Sequence, residues 1–450
     1  MKAKRILVIG IVACLVLSLI SCTSDSGEGG NKTKNKVITL KWASWQNSEM
    51  EKYMLEKFME VNDNIIVEQV AIAQDSWEQG LYNLASTGDL PDAFTTFDLA
   101  LATANEWTLD ITHYYDEDSY TANITDEMKQ AGLFDGVRYG LATWQFPCVM
   151  FLNKTLFESM NEPLPKLDWT MDDMVAIARR LSVPKDNIFG VADSMDGLEW
   201  IYRMYPVATT ENLYEWGFDA KNGTFDLSSW ANGYELAQKL IDEKVSAALS
   251  AEEREAVYGS ATVPYAETGK LAMQADWYWG CHYFLSDVFK TNGTDWLIYP
   301  QPSNSGRIQS VVDVGAVASN TLYPKEAYEL LKFMTFGADG WQARIDWYQM
   351  ENEPLAILPI AQDETVWNRV ETFFPREDYR ALYGTQNKWV PEDRKWMPGY
   401  GEFFTWTHEQ DFYNQMREGI IKPKDMVSQM NLKFKDLYNN SLKVIKARKQ

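Results

Sequence analysis

Histidine and cysteine are scarce in this chain of 450 residues, with three of the first and four of the second. His113, His282 and His408 stand at no ligand spacing beside a cysteine pair, which argues against a zinc site and reads them as structural histidines. An EF-hand loop is missing too. No G-x-x-x-x-G-K-[ST] loop occurs, and any ATP hydrolysis therefore lies on a partner. Basic residues are outnumbered, 42 Lys and Arg against 64 Asp and Glu, giving a net charge of −22. A nucleic-acid partner needs clustered Lys and Arg, and this balance argues against one. The opening apolar run, Ile6 to Ile20, falls short of the roughly 20 residues that a membrane span needs.

What is present begins with that run. Lys2, Lys4 and Arg5 precede it, and a basic start followed by a short apolar stretch reads as a signal peptide. It ends in Leu19-Ile20-Ser21-Cys22, which resembles the bacterial lipobox. The resemblance implies cleavage after residue 21 and lipidation of Cys22; the alternative is an ordinary signal peptide that contains a cysteine. The following stretch, "TSDSGEGGNKTKNK", is polar and rich in Gly and Ser, so residues 22–37 read as a flexible tether. Cys14 leaves with the signal. Cys148 and Cys281 remain in a compartment where a disulfide persists, and they either pair or stand as separate buried thiols.

Beyond the tether, about 410 residues are too many for one ordinary core. No repeat and no second low-complexity linker divides them, so domains must share short crossings or interrupted segments. "VITLKWASW" alternates as a strand, with Ile38, Leu40 and Trp42 on one face. "SEMEKYMLEKFMEV" carries a helical apolar stripe, with Ser48 and Glu51 at capping-box spacing. "IIVEQVAI" is a second strand. "DSWEQGLYNLAS" is a second helix, with Asp75 and Glu78 suited to its cap, and "GDLPDAFTTF" turns into a third strand. Strand, helix, strand, helix, strand predicts an α/β fold with parallel pairing. The last 100 residues read as mainly helical.

Five stretches in order resemble the carbohydrate-binding solute receptors of ABC importers, the group that includes maltose-binding protein. They are "LYNLASTGDLPDAF", "YGLATWQFPCVMFLNKTLFESM", "DWTMDDMVAIARRL", "GKLAMQADWYWG" and "VGAVASNTLYPKEAYELLKFMT". The likeness spans roughly residues 38 to 345. It implies a two-lobe periplasmic-binding-protein-like fold of type II, each lobe a mainly parallel sheet flanked by helices and joined by hinge strands. Lobe one would hold residues 38–146 plus 310–348, and lobe two 147–309 plus 349–450. The resemblance further implies a monomer without catalytic residues or cofactor, lipid-anchored to the outer face of the cytoplasmic membrane. Its partners would be a carbohydrate, two permease subunits and a cytoplasmic ATPase. One departure is Ala142-Thr143, where the family usually has a nearby proline; here Pro147 comes later.

Open α/β sheets bind ligands outside the carboxyl ends of their strands. After strand one come Trp45, Gln46 and Asn47; after strand two, Gln74, Asp75 and Trp77; after strand three, Thr96, Phe97 and Asp98. The middle strands lead to Trp144 and Gln145, then to Asp276, Trp277, Tyr278 and Trp279, and Asp313 and Gly315 lie near the recrossing strand. Trp200 and Trp396 are further candidates, with Tyr265 and Arg307 behind them. Aromatics paired with acids and amides suit a sugar, whose C–H face packs on an indole while its rim hydroxyls hydrogen-bond. Each tryptophan can instead be core, and Trp42 is read that way. Three adjacent large aromatics at 277–279 cannot all face one core, so at least one should face a cleft. Two rival readings stay open: a surface glycosidase or lyase, which needs two carboxylates flanking the scissile bond, and a receptor for a peptide or polyamine.

Overall fold

The alternation at the start of the domain becomes strand β1, Ile38–Ala43, with Ile38, Leu40 and Trp42 buried and Thr39 exposed in the computed structural model. The structure describes residues 36–448 apart from 47, 194–198, 211–217, 220–223, 285, 374–381, 386–387 and 393. The signal segment, Cys22, nearly all of the tether and Asn47 therefore lie outside the described residues. Among the described residues, no helix is long and apolar enough to cross a membrane.

Helix α1, Ser48–Val61, buries Met50, Met54, Leu55 and Phe58 against the sheet core. Strand β2 (Ile65–Gln69), helix α2 (Trp77–Thr87), strand β3 (Ala93–Thr96) and helix α3 (Leu99–Ala104) follow. Asp75 does not cap α2. A 3₁₀ turn at Gln74–Ser76 leads in, Ser76 makes no side-chain cap bond, and Glu78 is spent on the loop after β3 instead. The helix stops at Gly88, whose φ of 78° lies in the left-handed region that glycine enters without strain.

The long apolar stretch is one strand, β4 (Leu141–Asn153), buried at all 13 positions. Helix α4 (Met171–Arg180) starts from a formed capping box between Thr170 and Asp173. Next come β5 (Ala192–Asp193), α5 (Glu199–Thr209), α6 (Ser228–Asp242), β6 (Met273–Trp277), β7 (Trp296–Pro300) and β8 (Ile308–Val317). Helices α7 (Pro324–Met334) and α8 (Ala338–Glu351), strands β9 (Leu358–Pro359) and β10 (Trp389–Pro391), and helices α9 (Tyr400–Gln410) and α10 (Pro423–Ala447) complete the order used below.

These ten strands form one sheet in the order β2-β1-β3-β8-β4-β6-β5, with β7 and β9 on β4 and β10 on β8. Strand β1 runs parallel to β2 and β3, while the long β4 runs antiparallel to β6, β7, β8 and β9, and β8 runs antiparallel to β3 but parallel to β10. Strand β4 crosses between two groups. Its first half pairs with β8 up to Pro147, and from Cys148 onward it pairs with β6. Proline has no N–H to give a ladder, so Pro147 sits where a change of partner costs least.

Residues 349–450, expected to belong with 147–309, divide their packing. Leu358 and Pro359 pair with Gln145 and Trp144, and Gln362 donates to the Asn123 carbonyl. The first half of α10 joins a core of Trp230, Met397 and Phe403, whereas Ile445 joins the main core and Arg448 donates to the Thr108 carbonyl at 3.2 Å. Cys148 and Cys281 are both buried as thiols.

Candidate functional site

The chain turns out of β1 into Trp45 and Gln46, with the Gln46 N–H held by Ser44 Oγ at 3.0 Å. The Trp45 indole stacks on Phe97, centroids 4.0 Å apart and planes 11° apart, and meets Trp77 edge-on at 5.3 Å. Trp45 and Phe97 are half-buried and line a cavity of about 1310 Å³, whereas Trp77 is buried behind them and donates to the Thr95 carbonyl at 2.9 Å. One apolar platform thus rests on a fixed indole.

The loop after β3 is built by Glu78. Its carboxylate accepts from the Phe97 N–H at 2.6 Å and from Thr96 Oγ1 at 2.9 Å. Asp98 then caps α3, accepting from the Leu101 N–H at 2.8 Å. The Gly401 N–H, from the first turn of α9, also points its positive end toward this carboxylate. Burial, with Glu78 and Glu402 adding like charge, pushes the Asp98 carboxyl up to about 7 against the pull of those two N–H groups. Burial pushes the Glu78 carboxyl up as well. Both face the cavity.

Strand β6 ends at Trp277, and a 3₁₀ turn over Tyr278–Gly280 follows. The turn separates the three aromatics. Trp277 and Tyr278 are buried, Tyr278 meeting the Tyr383 hydroxyl at 2.6 Å, and Trp279 is 37% exposed on the cavity wall with its ring edge-on to Phe146 at 5.2 Å. Asp276 is buried and accepts from the Trp277 N–H at 2.7 Å, which fixes the start of that turn.

From β8, Asp313 reaches the wall between two fixed groups. Its Oδ2 accepts from Trp144 Nε1 at 2.6 Å, and its Oδ1 accepts from the Lys395 ammonium. Beside Lys395, the fully buried Glu392 pairs with Arg394 at 2.7 Å and lies 4.0 Å from Arg203. Burial alone would push the Glu392 carboxyl up, but Arg394, Lys395 and Arg203 together hold it below the usual carboxylate range.

Of the residues read as candidates from sequence, Trp45, Gln46, Gln74, Phe97, Asp98, Trp279 and Asp313 line this cavity. Others do not reach it. Trp77, Trp144, Gln145, Asp276, Trp277, Tyr278 and Trp396 are buried, Gln145 donating to the Pro359 carbonyl at 2.7 Å. Gly315 packs against Leu331 and Thr143, and Asp75 is exposed away from the wall. Tyr265 accepts from the Leu249 N–H, and Arg307 donates to the Thr210 carbonyl. The Trp200 side chain lies outside the described residues. Sequence reasoning missed Glu78, Lys395 and the start of α9, where Tyr400, Phe404 and Trp406 face the cavity. The density of aromatics in "GYGEFFTW" is the signal that could have found the last three.

A mixed α/β fold with two long strands shared between strand groups, enclosing a large aromatic-walled cavity, is the fold of two-lobe periplasmic binding proteins. The chain belongs to the bacterial extracellular solute-binding protein family, whose model matches residues 43–336. Three solved structures show the same fold. An ABC substrate-binding protein from Listeria monocytogenes in complex with cycloalternan matches with TM-score 0.65 and 18% identity over 89% of this chain and 99% of that one. A sugar transporter from Rhizobium etli in an open conformation matches with TM-score 0.69 and 16% identity, over 89% and 99%. The sugar-binding protein MalE from Xanthomonas citri matches with TM-score 0.68 and 12% identity, over 92% and 98%. Among curated protein sequences, none matches this chain.

Proposed function

We propose that this protein is the substrate-binding component of an ABC importer and captures an oligosaccharide in the cavity by closure of two lobes. The observation that carries the reading is the Trp45–Phe97 platform and Trp279 lining one cavity together with Gln46, Asp98 and Asp313. Flat apolar faces beside fixed acceptors and donors match a pyranose and would be left unsatisfied by an apolar ligand. The cycloalternan held by the Listeria relative supports the same class of ligand. In this reading Cys22 carries a lipid, residues 22–37 tether the domain outside the cytoplasmic membrane, and a permease with its ATPase receives the sugar. The monomeric protein binds without transforming its ligand.

A glycosidase reading has one observation in its favour, since Glu78 and Asp98 are two carboxyls with raised proton affinity on the same wall. Both, however, are engaged with backbone N–H groups that shape the loop. The test is a titration with linear and cyclic gluco-, xylo- and manno-oligosaccharides followed by tryptophan emission, with the glycan recovered and sized afterwards. Saturable change with intact glycan supports the receptor; shortened glycan supports the hydrolase and contradicts the proposal.

A further inference from the structure

Lys395 keeps only 4% of its surface exposed, yet it stands on the cavity wall. An ammonium has three donors and no acceptor. One goes to Asp313 Oδ1. Glu392 Oε1 is 3.6 Å away, close enough to supply charge but too far for a good hydrogen bond. The ring of Phe97 lies 6.0 Å from Nζ and adds a weak attraction. Asp313 is itself immobilised by Trp144 Nε1. The ammonium is therefore fixed, with donor capacity left, beside the Trp45–Phe97 platform.

Neutralising Glu392 does not by itself explain this lysine, because Arg394 forms an ion pair with that carboxylate at 2.7 Å and Arg203 lies nearby. A sugar ring lying on Trp45 and Phe97 presents its rim hydroxyls to whatever borders the platform. Adjacent hydroxyls lie about one hydrogen-bond length apart, so one can accept from an ammonium while its neighbour donates to the carboxylate paired with it.

We infer that Lys395 is a specificity-determining residue, donating to one hydroxyl of the ring on the Trp45–Phe97 platform while Asp313 positions the ammonium and accepts from the neighbouring hydroxyl. This rests on the sugar-binding reading above and narrows it: the ring at that position must carry a free vicinal diol. Glycans deoxygenated or O-methylated there are rejected, because a fixed charged donor is then left without a partner.

The experiment uses maltotriose, cellotriose, xylotriose and mannotriose, then the singly deoxygenated forms of the tightest binder, titrated calorimetrically against the unaltered protein, K395M and K395R. K395R retains the charge beside Asp313 and Glu392 and serves if K395M fails to fold. In the unaltered protein, removing one particular hydroxyl should weaken binding about ten- to a hundredfold, as expected for a hydrogen bond to a charged group. In K395M that same deletion should cost nothing further, and in K395R, whose donors sit on a longer planar fork, the penalty for that deletion should change in size or move to another hydroxyl. If the variant binds more weakly but keeps the full pattern of deoxy penalties, Lys395 only supports the fold and the inference is overturned. If the unaltered protein binds no glycan at all, the sugar-binding reading fails, and this inference fails with it.

Discussion

Gly401 lies so close to Asp98 that a Cβ added to it would stand 2.5 Å from Asp98 Oδ2. The two residues come from opposite parts of the sequence, one capping α3 and the other opening α9, and both line the cavity. Asp98 cannot swing aside without losing its bond to Leu101. Gly401→Ala should therefore push α9 away from α3 and destabilise the fold by about 1–3 kcal/mol. Denaturant titration checks it; stability equal to that of the unaltered protein would show that the contact yields freely.

Asp98 also makes stability depend on pH. Its folded value of about 7 lies above its ordinary 3.8, so the native state holds a proton that the unfolded chain has released. The stability this contributes is complete below about pH 4 and is lost as pH rises through about 7. Relative to Asp98→Asn, the unaltered protein should lose stability across that window, with a slope of at most about 1.4 kcal/mol per pH unit. Parallel curves for the two proteins from pH 4 to 8 would contradict the assignment.

Trp45 carries the platform and supports little else. Trp45→Ala removes a face stacked at 4.0 Å on Phe97, while Trp77 behind it keeps its own bond to Thr95. Binding of an oligosaccharide should weaken about thirtyfold or more, the loss of a central aromatic contact. Stability should fall much less, because Trp45 is only half-buried. Equal effects on Tm and Kd would place Trp45 in the core.

Glu392 is fully buried among Arg203, Arg394 and Lys395. Glu392→Gln removes the carboxylate that Arg203, Arg394 and Lys395 face together and should cost about 3–5 kcal/mol, read as a shift of the denaturation midpoint. A neutral result would mean that Asp313 alone suffices for the cluster.

Much of the fold was legible because it rests on local rules. The alternation at Ile38–Trp42 and the capping box at Thr170 and Asp173 appear as read. The site was legible only in part. Trp144 and Trp45 look alike in sequence, each beside a glutamine, yet Trp144 sits inside a strand with neighbours on both edges and Trp45 lies past a strand end. Pairing partners far along the chain decide that difference. The 3₁₀ turn that aims Trp279 outward while Trp277 and Tyr278 stay in the core follows the same logic. The part of the cavity lining that comes from α9 was missed because the rule of strand ends says nothing about a helix brought in by tertiary packing, and only the aromatic density of "GYGEFFTW" marks it.

The most direct measurement is thermal unfolding of the protein with each oligosaccharide at about 100 times its Kd. A ligand that binds only the folded state should add about 2.7 kcal/mol, or about 3 °C for a domain of this size. That shift should appear for a subset of oligosaccharides and fall to about 1 °C in Trp45→Ala at the same concentration, where thirtyfold weaker binding leaves about 0.9 kcal/mol. An unchanged Tm with every sugar, or a shift of the same size in the variant, would contradict sugar capture on the Trp45 platform.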